Sequence, residues 1–316
     1  MKLLRLVPKE TNISFMRIHI LALSISSLLV LLSLVGFFFI GLNTGIDFKG
    51  GTNIEVRVNN NGVNISYLRD LFRNTNIGEV NIQEFGKPQD YIISVQKQSQ
   101  EKELEQNVVI IVKDILKNEF FNDVEFRRTE TVGPVISSQL KKDGAIALGA
   151  ALIAMLIYIW FRFEWQFSIA AIVALIHDVV TTVGLFSVFD LEFNLAIVAA
   201  ILTTAGYSIN DTVVVFDRVR ENLRKYKSQD HNYIYNKSIN ETLSRTLITS
   251  MTTLIALIII YFFGGAVLSD FALAMIWGVV IGTYSSIFIA VSFLTYFNIY
   301  KGDKKDSSEP VPEYER

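Results

Sequence analysis

The sequence predicts a polytopic α-helical membrane protein with six transmembrane helices. A small α+β ferredoxin-like (βαββαβ) extracytoplasmic domain lies between the first and second helices. Three observations predict this. Six runs are apolar over the roughly 17–25 residues that a helix needs to cross a bilayer. Lysine and arginine are concentrated in alternate short loops. Between the first two apolar runs, strand-like alternation and helical spacing follow one another in the order βαββαβ. Composition agrees: 51% of the 316 residues are apolar, and the formal net charge of −2 leaves no general basic face for nucleic acid. Cysteine is absent, so disulfides, thiol nucleophiles and thiolate metal sites are excluded.

Residues 1–19 form a cytoplasmic tail, and Ile20–Leu42 is the first span. That run exceeds the ~7–15 residues of a signal-peptide core and no small-x-small site follows it, so it reads as a retained helix. The outer domain occupies residues 43–143. It opens on Gly45-Ile46-Asp47-Phe48-Lys49-Gly50-Gly51, where the Gly-Gly pair makes a turn into the first strand and reads as a structural junction. Thr52–Val58 alternates as a strand, and Ile65–Thr75 has helical spacing at Leu68, Leu71 and Phe72. Val80–Phe85 and Tyr91–Gln96 are strands around the turn signal at 86–90. Glu101–Asn118 is an amphipathic helix through Leu104, Val108, Ile111 and Ile115, and Val124–Thr131 is the last strand.

Residues 144–300 hold five more spans: Ala145–Phe161, Phe167–Phe189, Phe193–Phe216, Leu247–Leu268 and Phe271–Phe297. A polar, partly helical cytoplasmic loop at 218–246 separates the fourth from the fifth. Residues 301–316 have the composition of a disordered tail. Lys2, Arg5, Lys9 and Arg17, then Arg162, the basic loop from Arg218 to Arg245, and Lys301, Lys304 and Lys305 all fall on one side. Asp190, Glu192 and Asp270 occupy the opposite short loops. By the positive-inside rule both termini are cytoplasmic.

No phosphate-cradling loop, nucleophile elbow or paired histidines appear, so the chain reads as no enzyme, with no cofactor and no metal. The informative residues are ionisable groups at membrane depth, where a carboxylate is costly and rare without a partner or a function. In the fourth span Thr204, Ser208 and Asp211 share a helix face, beside Asn210. Helix packing alone is one reading of this pair, although an asparagine would serve for that. Asp211 precedes Phe216 by five residues, roughly 7–8 Å at the helical rise. Arg245 starts the fifth span at the same membrane face, and its long side chain can reach along the interface. A carboxylate that gains and loses an arginine partner can take and release a proton. In the third span His177 and Asp178 make a second polar patch, either a satisfied interhelical cluster or a relay. Gly264, Gly265, Gly278, Gly282, Ser285 and Ser286 in the last spans permit close helix packing.

Several stretches together are similar to a known family. They are GIDFKGG at 45–51, GPVISSQL at 133–140, LIHDVV at 175–180, YSINDTVVVFDRVRENLR at 207–224, LSRTLITS at 243–250, and FGG with DFALAMIWGVVIGTYSSI across 263–287. In order and topology they resemble the SecF family of protein-export membrane proteins, within the resistance-nodulation-division superfamily of proton-driven transporters. The resemblance implies a SecD-like partner that completes a twelve-span unit. It also implies a bacterial inner-membrane location and assistance to the SecYEG channel and the SecA motor. In that picture the proton-motive force draws preprotein out on the far side. The family's functional aspartate and arginine fall on Asp211 and Arg245, with Asp47, Gly50, Gly51, Asp217 and Arg218 as motif positions. A further proton-carrying aspartate is expected on SecD. An exporter of lipids or small molecules and a passive scaffold are the competing readings. Membrane lipid is the remaining expected partner.

Overall fold

Each strand of the outer domain lies where its alternation places it. The computed structural model describes residues 11–297 and 299, apart from 61, 74, 76, 79, 85–88 and 97–101, and leaves the side chains of 102–107, 122, 266 and 267 aside. Lys2, Arg5, Lys9, Gly86 to Pro88 of the expected turn, Leu104's side chain and the tail 301–316 lie outside the described residues. The elements of the outer domain are β1 (Gly51–Val58), α3 (Ile65–Phe72), β2 (Val80–Glu84), β3 (Asp90–Gln96), α4 (Lys102–Phe120) and β4 (Val124–Val132). They form an antiparallel sheet of order β2-β3-β1-β4.

Period two sorts β1 into two faces. Ile54, Val56 and Val58 are buried with Ile82, Tyr91, Ile93 and Val95 against Leu68 and Phe72 of α3 and Val112, Leu116 and Phe120 of α4. Each such side chain contributes roughly 1.5–3 kcal/mol on burial. Asn64 starts α3 by accepting the Tyr67 N–H at 2.8 Å, an N-cap. The other face carries Asn53, Glu55, Gln83, Arg128 and Glu130. With Asp47, Glu192, Asn194 and Asp270 it encloses a polar cavity of about 190 Å³ above the membrane bundle.

The bundle comprises α1 (His19–Phe39), α5 (Pro134–Arg162), α6 (Trp165–Val188), α7 (Leu195–Lys225), α8 (His231–Phe263) and α9 (Gly265–Ser285). A short helix α2 (Ile46–Lys49) leads into β1. A π-helical turn, Ser286–Ala290, joins α9 to α10 (Val291–Leu294). The apolar windows of α6 and α7 are 56% buried and that of Leu268–Leu294 is 67% buried, against 6% in α5 and 17% in α8. The central helices are therefore α6, α7 and α9, and polar side chains at membrane depth can be satisfied there without meeting lipid.

Several boundaries differ from the hydropathy reading. α8 ends at Phe263 rather than Leu268, and α9 starts at Gly265 rather than Phe271. α5 begins at Pro134, well before Ala145. Gly133 and Pro134 form a helix start with proline at the first turn, and Gln139 donates to Asp143 one turn on at 2.8 Å. The segment 218–246 is mostly two helix ends, with only 226–230 between α7 and α8. Polar residues there pair across the hairpin: Arg218 with Glu241 at 2.7 Å, and Asn222 with Ser238 at 3.0 Å and Glu241 at 2.7 Å.

Candidate functional site

The site is built where α7 crosses α9. Ala200, Thr204, Ser208 and Asp211 are all buried on one face of α7. Gly278 and Gly282 of α9 lie opposite. A Cβ at Gly278 would come 2.6 Å from Thr204 Cβ, and one at Gly282 would come 2.9 Å from Ser208 Cβ. The missing side chains bring the two backbones together, as small residues do between membrane helices. Thr204 spends its hydroxyl on Ala200 and Ile201 of its own helix, at 3.0 Å each, so it packs rather than joins a network. Asn210 faces the other way and is exposed. Adjacent helical residues point about 100° apart, so Asn210 does not share Asp211's surroundings.

Asp178 is the hub. Its Oδ2 accepts from Ser208 of α7 at 2.5 Å and from Ser285 of α9 at 2.7 Å, and its Oδ1 accepts from His177 Nδ1 at 3.0 Å. One carboxylate of α6 therefore holds three helices together beside the π-helical turn. Ser286 extends the network, bonding Thr212 at 3.0 Å and donating to the Ser208 carbonyl at 3.3 Å; separately, Tyr284 donates to the Ala22 carbonyl of α1 at 2.8 Å and meets Ser26 at 3.0 Å. His177 Nε2 is buried without a partner. Of this cluster, Ser285 and Ser286 read from sequence as packing residues only. Their spacing after Gly278 and Gly282 was the signal, but the acceptor lies over a hundred residues away.

Asp211 differs in kind. It is 4% exposed and its Oδ2 is buried with no hydrogen-bond partner. Arg245 lies within electrostatic range of it but makes no ion pair with it, and the Arg245 side chain is on the exposed side of α8. A buried polar atom left unpaired costs about 1–3 kcal/mol. An acid whose oxygen lacks a donor is the one suited to carry a proton of its own.

The junction residues fix the outer end of α7. Asp47 Oδ2 accepts the Leu195 N–H at 2.9 Å, placing a carboxylate at the helix N-terminus, where Asn194 also caps Ile197 at 3.2 Å. Gly45 and Phe193 pair through backbone at 3.0 Å. Gly50 and Gly51 have φ of +78° and +141°, and a Cβ on Gly51 would strike the Val95 carbonyl. Only glycine fits that turn. Glu192, in the loop before α7, has its pKa raised by burial and then by the carboxylates of Asp270 and Asp47, with Lys49 opposing. At the other end Asp217 is held by Arg162 at 2.8 Å, and Arg218 binds Glu221 at 2.6 Å. Among the described residues no group of His, Cys, Asp and Glu is placed to hold a metal ion.

Comparison with known proteins agrees with this geometry. The model of the protein export membrane protein SecD/SecF, C-terminal, matches residues 111–299, and that of the SecD/SecF GG motif matches 35–61. Protein translocase subunit SecF of Rickettsia rickettsii is 42% identical over 305 residues, which is 96% of this chain and 97% of the relative. The chain belongs to the SecF family. Protein translocase subunit SecDF of Brucella abortus is also 42% identical, over 308 residues, and there the match covers 98% of this chain but 40% of the relative. The crystal structure of SecDF from Thermus thermophilus superposes with a TM-score of 0.82 at 34% identity, over 92% of this chain and 39% of that one. This SecF-type chain therefore spans about two fifths of the fused SecDF proteins, and pairing with a SecD part is a feature of its family. The segment matched to the GG motif holds Asp47, Gly50 and Gly51, the residues that join the outer sheet to α7.

Proposed function

We propose that this SecF-type subunit works with a SecD-type partner to couple the proton-motive force to protein translocation. The complex assists a SecYEG channel, with SecA on the cytoplasmic side, and completes preprotein export on the outer side. It sits in the bacterial inner membrane with both termini cytoplasmic, and it performs no covalent chemistry.

The observation that carries the reading is the contrast between two intramembrane aspartates. Three donors converge on Asp178, whereas Asp211 keeps a buried oxygen unpaired near Arg245. In the proposed cycle a proton from the outer side adds to Asp211 and removes its charge, and with it the electrostatic attraction between Asp211 and Arg245. Loss of that proton to the inner side restores the attraction. The change reaches the outer domain along α7, whose first N–H is held by Asp47. One charge crossing 100 mV yields about 2.3 kcal/mol, enough to bias a domain movement by tens-fold per proton without locking it.

The partner face follows from exposure. Ala199, Thr203, Gly206 and Asn210 form a small, polar and exposed stripe on α7, and Arg245 is exposed on α8. Such a stripe at membrane depth suits a helix of the SecD part better than lipid. A stand-alone lipid or drug exporter fits less well, since the cavity between the domains falls below the ~300–1,000 Å³ of small-molecule pockets.

The test is preprotein translocation into inverted membrane vesicles with and without an imposed proton gradient. Vesicles with the wild-type complex should gain from the gradient, and those with Asp211→Asn should not. Equal gradient dependence in both would remove Asp211 from the coupling.

A further inference from the structure

The ends of α5 and α7 line a shallow, open groove of about 570 Å³ formed by Arg162, Asp217, Arg220, Glu221, Arg224 and Lys225. Its two carboxylates are already answered: Asp217 by Arg162 at 2.8 Å, and Glu221 by Arg218 at 2.6 Å. Arg220, Arg224 and Lys225 have no acidic partner among the described residues, and Arg220 Nε is buried without an acceptor. Behind this lining lies a buried aromatic ring. The guanidiniums of Arg162 and Arg220 lie 5.1 and 5.5 Å from the centre of the Phe163 ring, which packs edge-on against Phe216 at 5.9 Å.

A topology signal requires only that such charges be present. It does not require a groove, guanidiniums laid against a buried aromatic ring or one of them held by a paired carboxylate. We propose that this groove binds the headgroup of an anionic phospholipid, best one carrying two phosphates. Phosphate oxygens match the forked donors of Arg220 and Arg224, with Lys225 as a third positive point. Depth selects lipid over an acidic protein segment. Trp160, Phe161 and Trp165, close to Arg162 in the chain, are 61%, 86% and 53% exposed, the mark of an interfacial aromatic belt. Ile157, one turn further into the membrane, is also exposed and gives acyl chains an apolar path. Basic pockets between membrane helices at this level take such headgroups. In this arrangement Asp217 fixes Arg162 against Phe163 and so shapes one wall.

The proposal is independent of proton coupling and is tested without a translocation assay. The purified full chain in neutral detergent is titrated by native mass spectrometry with cardiolipin, phosphatidylglycerol or phosphatidylethanolamine. Cardiolipin should bind tightest and the zwitterion weakest. Arg224→Gln with Lys225→Gln, both exposed and outside the packed core, should weaken cardiolipin on the order of thirtyfold, as loss of two interfacial cations implies. Arg220→Gln should weaken it as well. Lys227→Gln with Lys237→Gln removes equal formal charge from the same end of the bundle and should cost less than about threefold. Equal losses in the two double variants, or no preference for cardiolipin over phosphatidylethanolamine, overturns the site. Displacement of the lipid by millimolar inorganic phosphate also overturns it, by showing that the groove reads free phosphate.

Discussion

Gly278→Ala tests the crossing on which the buried network depends. The new methyl would stand 2.6 Å from Thr204 Cβ and 2.8 Å from its Oγ1, with Cγ2 closer still, where ordinary contact begins near 3.4 Å. The space falls short by about 0.8 Å at the Cβ alone. Rotating Thr204 cannot recover it, because the Cβ is fixed to the backbone and Oγ1 is tied to the Ala200 and Ile201 carbonyls. Overpacking of this kind costs about 1–3 kcal/mol, and here the helices must move apart to relieve it. Thermal unfolding of the purified protein in detergent should show that loss. Thr204→Ala removes Cγ2 and Oγ1 but keeps the Cβ, so combined with Gly278→Ala it should restore stability in part. Thr204→Gly clears all three atoms and should leave mainly its own helix-propensity deficit of about 1 kcal/mol. A Gly278→Ala protein as stable as wild type would refute the reasoning. So would double variants whose losses simply add, since contacting residues must couple.

Two further outcomes follow from the outer end of the bundle. Asp47→Ala removes the acceptor of the Leu195 N–H and should cost about 1–2 kcal/mol, read as faster hydrogen exchange in the first turn of α7, while Asp47→Asn keeps an acceptor and loses less. Glu192 has a folded pKa above its ordinary value of 4.5, so the folded state binds its proton more tightly than the unfolded chain does. Its contribution is complete below 4.5 and is lost as pH rises through the folded value. The melting temperature should therefore decline across that acidic window, and Glu192→Gln should flatten the decline.

The outer domain was legible because its signals are local. Alternation at Ile54, Val56 and Val58, helical spacing at Leu68 and Phe72, and the Gly50-Gly51 turn each need only a few neighbouring residues to act. The apolar spans were legible for the same reason. Boundaries failed where hydropathy and helix formation part company: the polar first turns of α5 and the long ends of α7 and α8 are stabilised by pairs such as Gln139–Asp143 and Arg218–Glu241, which a hydropathy window counts against a helix. The site was half legible. Asp211 announced itself as a costly group, but its neighbour Asn210 was grouped with it by adjacency although the helix turns the two apart. For Asp178 the sequence left two roles open, an interhelical cluster and a relay; the structure shows the cluster, which depends on Ser285 arriving from another helix and on the closeness that Gly278 and Gly282 allow.

In the proposed cycle Asp178 is a fixed pin between helices and Asp211 is the group that gains and loses a proton. Infrared difference spectroscopy of the reconstituted complex under a pH change reads this directly, through the C=O stretch of a protonated carboxyl group. Wild type should show a titrating band that disappears in Asp211→Asn and persists in Asp178→Asn. A band that survives Asp211→Asn and vanishes with Asp178→Asn would contradict the assignment and move the proton to the hub.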